Sequence, residues 1–338
     1  MASYDIGIDL GTTKIIIYVN GKGIVLDEAA VVAYNHKTKK VLAVGKNAFS
    51  MIGRTPEYIT AVSPLRDGVI TDMDLTELMI KELLKKISES MMVKPRVAVC
   101  VPSTITEVER RAVVRAASFA GARKVYLIDE PIAAAIGAGI NISRPDGFIV
   151  VDIGGGTTDI AVISLNGVVE KKSIKIAGNY LDETIAKYIL NKHKILIGDR
   201  MAETIKCQIG NVFEPSPDKC AEARGRNMIT GMPRKVTVSE QEIYTALKEP
   251  VLEIIKDVNE VLERTPPELI GDIHENGLLL TGGVALLKGL PELMKKMLNV
   301  KVIVPDDPLT CVAVGTGKAF DYLDELGDGF VHAAIRKH

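Results

Sequence analysis

Two short turns rich in glycine and threonine, each following an aspartate, are the part of this sequence best suited to chemistry. They comprise, in chain order, Asp9, Gly11, Thr12, Thr13 and Lys14, and then Asp152, Gly154, Gly155, Gly156 and Thr157. Glycine in a turn after a strand lets the backbone approach a ligand closely and points several N–H groups into one concavity, which suits phosphate oxygens. One such turn is common in ordinary hairpins, whereas two matched copies favour a phosphate-binding site.

The aspartates that precede the turns, Asp9 and Asp152, predict a divalent cation. Two carboxylates facing a triphosphate make chemical sense only if a cation bridges them, and Mg²⁺ held through water is the natural choice. The alternative is that both aspartates simply cap their turns. The Walker pattern G-x-x-x-x-G-K-[ST] is missing, and no G-x-G-x-x-G opens a helix, so the expected phosphate site is of another kind.

An internal repeat supplies the elements that position both turns. Residues 8–25 can be laid over residues 151–170, with two extra glycines in the second copy. Each copy reads as a strand with an aspartate at its end, the turn, and a second strand that ends at Asn-Gly, a strong hairpin signal. Apolar residues at helical spacing after Asp72, and a capping box from Thr106 to Glu109, predict helices between the copies. This order predicts two α/β domains related by duplication, with a ligand cleft between the two turns.

Three other stretches bear on that cleft. Residues 30–70 and 178–240 carry no hairpin signal of the repeat and are interpreted as insertions into the duplicated frame. Residues 278–289, LLLTGGVALLKG, read as a buried strand, a Thr-Gly-Gly turn and a helix start, so Gly282, Gly283 and Val284 could also approach a ligand closely. By itself, this motif is equally compatible with a tight strand-to-helix turn.

Composition sets the broad class. The 338 residues suffice for about two domains, at roughly 100 to 200 residues each. A net charge of -1 provides no global attraction to nucleic acid, and none is expected as a partner. Four scattered cysteines predict reduced structural thiols rather than a zinc or redox site. The first residues enter a strand pattern at once, and no apolar run approaches the roughly 18 residues of a membrane span, which predicts a cytoplasmic protein.

Several motifs resemble a known superfamily. IDLGTT at 8–13, VDIGGGTTD at 151–159 and TGG at 281–283 are similar to the phosphate and adenosine motifs of the actin, Hsp70 and sugar-kinase superfamily, and DEPIAAAIGAG at 129–139 resembles the segment joining its two halves. KGIVLDEAAVVA, PLRDGVITDMD, VPSTITEVERRAV and GRNMITGMPRKVTVSEQEI resemble stretches of the MreB family of bacterial actin homologues, a similarity that runs from end to end.

The resemblance implies a duplicated, actin-like α/β fold: two α/β domains flank a nucleotide cleft, and each carries a smaller inserted subdomain. The implied subdomains are IA with residues 1–30, 68–140 and 311–338, IB with 31–67, IIA with 141–177 and 243–310, and IIB with 178–242.

The resemblance also implies ATP and Mg²⁺ as ligands and assigns roles at the cleft. Glu130 matches the acid that positions or activates the attacking water, and Thr157 matches a second water-positioning residue. Gly178, Glu203 and Lys206 match contacts to the nucleotide. Glu203 and Lys206 are three residues apart in a helical pattern and therefore share one face, where they could hold the ribose and adenine edges. Taken alone, Glu130 could be a solvated acid at a strand end, and Glu203 with Lys206 would more often be a surface ion pair.

Some positions depart from the family pattern. As the resemblance goes, most members have Ala and Asn where this chain has Thr13 and Lys14, and a third Gly in place of Val284. Lys14 is expected to add a cation beside the phosphates, and Val284 to add bulk near the adenosine. Asn179 stands where an Asp is more usual.

The function implied by the resemblance is a cytoskeletal ATPase that assembles into paired filaments at the inner face of the cell membrane and supports cell shape. Met91, Met92 and Val93 form the candidate membrane loop, with ordinary packing as the alternative, and the basic tail 336–338 could add weak attraction to an anionic surface.

An Hsp70-like chaperone and a sugar kinase are the competing interpretations, since both share the motifs. The length is expected to leave no room for the peptide-binding domain of a chaperone. A sugar kinase would need an acid that activates a substrate hydroxyl between the lobes.

Overall fold

The structure, a computed structural model, describes residues 5–88, 94–322 and 330–332. The strands are β1 Asp5–Leu10, β2 Lys14–Val19, β3 Gly23–Ala29, β4 Val32–Asn35, β5 Lys40–Val44, β6 Ile59–Val62, β7 Leu65–Arg66, β8 Val69–Ile70, β9 Arg96–Val101, β10 Lys124–Asp129, β11 Phe148–Ile153, β12 Thr158–Ser164, β13 Gly167–Ile174, β14 Ile195–Leu196, β15 Cys220–Asn227, β16 Pro233–Ser239, β17 Leu278–Thr281, β18 Val302–Ile303 and β19 Phe330–His332. The helices are α1 Lys46–Phe49, α2 Met73–Ser88, α3 Glu107–Phe119, α4 Glu130–Gly137, α5 Gly178–His193, α6 Asp199–Ile209, α7 Glu240–Arg264, α8 Pro267–Asn276, α9 Leu290–Leu298 and α10 Cys311–Lys318.

Two large sheets repeat one topology and form two lobes. In the first lobe, β3, β2 and β1 form an antiparallel meander, and β9 and β10 continue the sheet in parallel from β1. In the second lobe, β13, β12 and β11 form the same meander, and β17 and β18 continue it in parallel from β11. The predicted duplication, the α/β fold class and both repeated hairpins are therefore confirmed.

Local sequence explains why the elements begin and end where they do. The second-lobe strands β11 and β12 are runs of Ile, Val and Ala buried on both faces, as expected for central strands covered by helices. Asn166 takes a positive φ of 62° in the turn between β12 and β13, as hairpin turns require. The predicted capping box is formed, because the Thr106 and Glu109 side chains each bond the other's backbone at the start of α3. At α2, the Asp72 carboxylate accepts from the Leu75 backbone N–H at 3.0 Å.

Each lobe carries a small sheet of its own. The strands β5, β4 and β6 form one, wholly within residues 31–67, and β14, β15 and β16 form the other, wholly within residues 178–242. The long hairpin of β15 and β16 was not anticipated, because residues 178–240 carry no hairpin signal of the repeat. The subdomain boundaries themselves stay a prediction.

The lobes join where helices α4 and α10 cross with their backbones in contact. A Cβ atom at Gly315 would overlap the carbonyl oxygen of Ala133 and lie 2.7 Å from the backbone nitrogen of Gly137. A Cβ at Gly137 would likewise overlap the carbonyl oxygen of Cys311. Only glycine allows this approach, and the surrounding core draws buried residues from both large sheets, including Ala98 and Val150.

We expect Gly315→Ala to lower the urea midpoint of unfolding. A methyl group has no space there, and overpacking a core typically costs about 1 to 3 kcal/mol. Gly271→Ala provides the matched control, because Gly271 lies on the exposed side of α8 and a Cβ there meets nothing within 4 Å. Since the control removes freedom only from the unfolded chain, it should stabilise by about 0.4 to 1 kcal/mol. Equal midpoints for the two variants would contradict the close helix crossing.

Candidate functional site

One cavity of about 460 Å³ lies between the lobes, and every residue that the sequence analysis proposed for the site lines it. These are Asp9, Gly11, Thr12, Thr13, Lys14, Glu130, Asp152, Gly154, Gly155, Gly156, Thr157, Gly178, Glu203, Lys206, Gly282, Gly283 and Val284. The fold thus gathers residues from six separate stretches of chain. Their roles toward a ligand stay a prediction.

The first turn, between β1 and β2, is held by neighbouring backbone and hydroxyl groups. A Cβ at Gly11 would lie 2.9 Å from the carbonyl oxygen of Lys14, so a side chain would crowd the turn. The Thr12 hydroxyl accepts from the Gly68 backbone N–H at 3.0 Å, and the Ser63 hydroxyl donates to the Thr12 carbonyl at 3.1 Å. The turn is therefore fixed before any ligand binds.

The second turn, between β11 and β12, meets the first across the cleft. A Cβ at Gly155 would lie 2.9 Å from the Cβ of Thr13, and a Cβ at Gly156 would lie 2.9 Å from the Cβ of Thr12. Glycine at both positions permits this approach. The backbone N–H groups of the two turns consequently border one small volume, the arrangement that suits a chain of phosphates.

Buried carboxylates surround the same volume. Burial raises the pKa of Asp9 to about 6, against a weaker lowering effect of the Cys100 thiol, which donates to it at 3.3 Å. The pKa of Asp152 is raised well above its usual value, chiefly by burial and then by the charges of Asp159 and Asp9. Asp152 Oδ1 is buried and has no hydrogen-bond partner in the described part of the chain. Such an arrangement is electrostatically incomplete and favours a bound cation.

The two carboxylates of this site suit a Mg²⁺ ion whose direct ligands are mainly waters and phosphate oxygens. Within residues 5–88, 94–322 and 330–332, no three acidic, histidine or cysteine side chains cluster as a complete metal site. Mg²⁺ typically keeps several waters and uses one or two carboxylates together with substrate phosphates. Asp9 and Asp152 fit that requirement, since both carboxylates line the cavity.

Glu130 is the first residue of α4 and faces these aspartates. Its pKa is raised well above the usual value, first by burial and then by Asp159 and the nearby aspartates. Thr157 is the last residue of the β11–β12 turn, and its methyl group lies 3.0 Å from where a Cβ at Gly68 would stand. The sequence analysis missed Asp159, although it faces Asp152 directly across the β11–β12 pair and could have been placed by register.

The other end of the cavity is formed by α5, α6 and the turn after β17. Lys206 Nζ donates to Asp182 Oδ2 and to the Gly178 carbonyl, both at 2.9 Å. Glu203 lies one turn earlier on α6. Lys206 forms its ion pair with Asp182, and not the surface pair with Glu203 that was the alternative interpretation. Asp182 was missed by the sequence analysis, although it follows Gly178 by one helical turn and so shares its face.

The Thr-Gly-Gly turn packs against the second-lobe strand. Gly282 has a φ of 82°, and a Cβ there would lie 2.5 Å from Asp152 Oδ1. Val284 is buried in the wall of the cavity, within a 3-10 helix spanning Gly283–Leu286 that precedes α9.

The ammonium group of Lys14 is not directed only at the expected phosphate site. Lys14 lines the cavity, but its Nζ lies 3.3 Å from Asp27 Oδ2 on β3. Its ammonium group is partly exposed and is shared with that carboxylate.

A cation–π contact joins the two inserted units, α1 in the first lobe and α6 in the second. The Arg200 guanidinium on α6 lies 4.9 Å from the ring centre of Phe49 on α1, so the two inserted units touch through a cation–π contact.

No helix in the described ranges is both long and apolar enough to cross a membrane. The candidate membrane loop at Met91, Met92 and Val93, and the basic tail at 336–338, lie outside the residues that the structure describes.

Comparison with known proteins identifies relatives over nearly the whole chain. A family model described as MreB/Mbl protein matches residues 3–328. The cell shape-determining protein Mbl of Bacillus cereus is 50% identical over 327 residues, covering 96% of this chain and 98% of that protein. The cell shape-determining protein MreB of Escherichia coli is 48% identical over 333 residues, covering 97% of this chain and 96% of that protein.

Solved structures agree with this result. The crystal structure of MreB5 of Spiroplasma citri bound to ADP is 38% identical, has a TM-score of 0.90, and covers 95% of this chain and 97% of that one. A MamK double helical filament, at 22% identity and a TM-score of 0.81 over 95% of this chain and 99% of that one, supports the actin-like fold alone. The extent and identity of these matches show that this chain belongs to the MreB/Mbl family of actin-like proteins.

Proposed function

We propose that this chain binds ATP with Mg²⁺ between its lobes, hydrolyses it there, and assembles into cytoskeletal filaments that support cell shape. One observation carries the proposal: a single cavity gathers both repeated turns, the buried carboxylates and the α6 residues Glu203 and Lys206. Membership of the MreB/Mbl family makes the chain a cytoskeletal, actin-like protein. Structures of the related MreB5 bound to ADP and to AMPPNP support an adenine nucleotide as its ligand.

In this proposal the two turns bind the phosphates. Backbone N–H groups of Gly11 to Lys14 and of Gly154 to Thr157 donate to phosphate oxygens from opposite lobes, so the nucleotide stabilises the closed arrangement of the cleft. Asp9 and Asp152 hold Mg²⁺ through water. The bound cation supplies positive charge that offsets the phosphates and the buried carboxylates together.

Glu130 and Thr157 act on the water that attacks the terminal phosphate. The Glu130 carboxylate, which lines the cavity, accepts a hydrogen bond from that water and orients it. The Thr157 hydroxyl can donate and accept at once, so it can fix the second side of the water. Positioning of this kind is the main contribution that a protein makes to phosphoryl transfer.

Membership of the MreB/Mbl family supports filament formation. A head-to-tail contact between identical subunits that does not close on itself produces an open fibre. When the cleft of a subunit closes on ATP, its two lobes are held in one relative orientation. Hydrolysis can then loosen the contacts between neighbouring subunits. We place these filaments in the cytoplasm, at the inner face of the cell membrane.

The proposal is tested by incubating the purified chain with ATP, Mg²⁺ and anionic liposomes, followed by sedimentation and electron microscopy. We expect pelletable filaments with ATP and slow phosphate release. A protein that stays monomeric with ATP, and releases phosphate only when a peptide or sugar is added, would overturn the cytoskeletal assignment in favour of a chaperone-like or kinase-like activity.

Membrane association has its own test, derived from the sequence alone. Replacing Met91 and Met92 by Ser should weaken co-sedimentation with liposomes and leave ATP hydrolysis unchanged, because it removes apolar contact with the acyl boundary without touching the cleft. Met297→Ser is the control, since Met297 is 55% exposed on α9, far along the chain from the loop. Equal lipid binding by the double variant and the control would assign Met91 and Met92 to ordinary packing.

A further inference from the structure

We propose that Arg200 and Phe49 form a clasp between the two lobes, and that this clasp sets the rate at which a bound nucleotide leaves. The clasp joins the first inserted unit, residues 31–67, to the second, residues 178–242. This inference rests on the proposed nucleotide binding in the cavity. Neither Arg200 nor Phe49 lines that cavity, so the clasp acts without touching the ligand.

Arg200 is fixed to the second-lobe wall of the cavity. It lies on α6, three residues before Glu203 and six before Lys206, and both of those residues line the cavity. Three residues of an α-helix span about 4.5 Å along its axis, and residues at this spacing share a face. Because α6 is one continuous helix, a movement of Arg200 away from the first lobe carries that wall with it.

Phe49 is fixed to the first lobe. Its side chain packs against the small buried core of the first inserted unit. At the start of α1, which ends at Phe49, the Lys46 backbone N–H donates to Glu28 Oε2 at 2.7 Å. Glu28 lies on β3, which pairs with β2, and β2 begins at Lys14 in the lining of the cavity. The aromatic ring therefore moves together with the sheet that carries the first glycine turn.

The contact between these two residues has no polar support. The guanidinium carbon of Arg200 lies 4.9 Å from the ring centre of Phe49, within the range of about 6 Å for a cation–π interaction. Arg200 is exposed and carries no ion pair in the part of the chain that the structure describes. Within the same ranges, no hydrogen bond or ion pair joins residues 31–67 to residues 178–242. The clasp can thus open without breaking another polar link between the inserted units.

A weak contact between the lobes suits a gate for the ligand. The lobes are joined by the tight crossing of α4 and α10, and a rotation about that crossing changes the distance between Arg200 and Phe49, which belong to different lobes. A nucleotide held by both glycine turns leaves when the lobes separate, and the clasp must break for that to happen. A cation–π contact at an exposed site slows this step by about two- to five-fold.

The test measures the release of mant-ADP, a fluorescent ADP, when the loaded protein is mixed with excess unlabelled ADP. Phe49→Leu and Arg200→Gln should each release it about two- to five-fold faster than the wild type, because leucine offers no aromatic face and glutamine no cation. The double variant should release it no faster than either single variant, since all three lack the same contact. Phe49→Tyr keeps an aromatic ring and should release mant-ADP at the wild-type rate.

Phe119→Leu is the matched control. It makes the same change at a phenylalanine of α3 that is 66% exposed and has its own arginine, Arg115, with the guanidinium carbon 5.4 Å from the ring centre. Both partners of this second pair lie in the first lobe, so its loss leaves the contact between the lobes intact. The release rate of the control should equal that of the wild type.

Each outcome separates the clasp from the proposed function. If the wild-type chain does not bind mant-ADP, the nucleotide proposal fails and the clasp has no ligand to retain. If mant-ADP binds but the single variants release it at the wild-type rate, or if their effects multiply in the double variant, the nucleotide proposal stands and the clasp is overturned. Faster release in Phe49→Leu alone would show a packing role for that ring and would also overturn the clasp. Should Phe49→Leu fail to fold, Arg200→Lys keeps a cation and should release mant-ADP more slowly than Arg200→Gln, and equal rates for these two would overturn it.

Discussion

Asp152→Ala is expected to lose magnesium-dependent ATP binding while its fold remains intact. Asp152 is proposed to hold the cation through water, and removal of outer ligands of this kind typically costs about 10 to 100-fold in metal affinity. The change also removes a buried carboxylate whose Oδ1 has no hydrogen-bond partner in the described chain. The variant without ligand should therefore be at least as stable as the wild type, because an uncompensated buried charge is destabilising.

ATP affinity measured with and without Mg²⁺, together with a urea midpoint, tests both parts of this result. Asp218→Ala makes the same change at an exposed aspartate in the turn before β15 and should alter neither quantity. Unchanged ATP affinity and unchanged magnesium dependence in Asp152→Ala would contradict the model of two phosphate turns sharing a cation. A loss of the folded state would instead show that Asp152 serves the architecture.

Glu130→Ala should bind ATP normally and hydrolyse it about 10² to 10⁴-fold more slowly. We propose that affinity comes mainly from the turns at 11–14 and 154–157 and from the α5 and α6 residues that line the cavity, none of which the substitution alters. Loss of a residue that orients or activates water raises the barrier by roughly 3 to 5 kcal/mol. Filaments of the variant should persist longer in ATP, because their contacts are no longer weakened by hydrolysis.

ATP affinity and phosphate release measured on one preparation distinguish the possible roles of Glu130. Glu275→Ala, at an exposed position near the end of α8, is the control and should match the wild type in both measurements. Normal phosphate release in Glu130→Ala would remove this residue from the hydrolysis mechanism. Loss of ATP binding would assign it to the structure of the cleft.

Features encoded by contiguous residues were predictable. The strand, glycine turn and second strand of each repeat are read directly from residues 8–25 and 151–170, and both hairpins form as expected. The Thr106 capping box is likewise local, since its two side chains are three residues apart. Turn chemistry and periodicity depend on near neighbours in sequence, which is why such patterns survive without knowledge of the fold.

Contacts between distant residues were not predictable in the same way. Lys14 was expected beside the phosphates, but its ammonium group lies near Asp27, which is two residues from Ala29, the register partner of Lys14 on β3. Asp159 and Asp182 were not singled out as site residues, yet Asp159 raises the pKa of Glu130 and Asp182 holds Lys206. Such partners are chosen by how strands register and how helices pack.

The sequence by itself determined that this chain has two related lobes, where the two glycine turns lie, and many of the residues that line the cleft. The repeated strand, turn and strand predict two related lobes. The glycines of the turns predict a close approach between their backbones, because a larger residue would have no space there. The tertiary structure decided how far the lobes close and which charges are buried. Thr12 and Thr13 meet Gly156 and Gly155 across the cleft, and the burial that raises the pKa of Glu130 exists only once α4 and α10 have brought the lobes together. Burial and long-range electrostatics are properties of the assembled fold, so no stretch of sequence contains them.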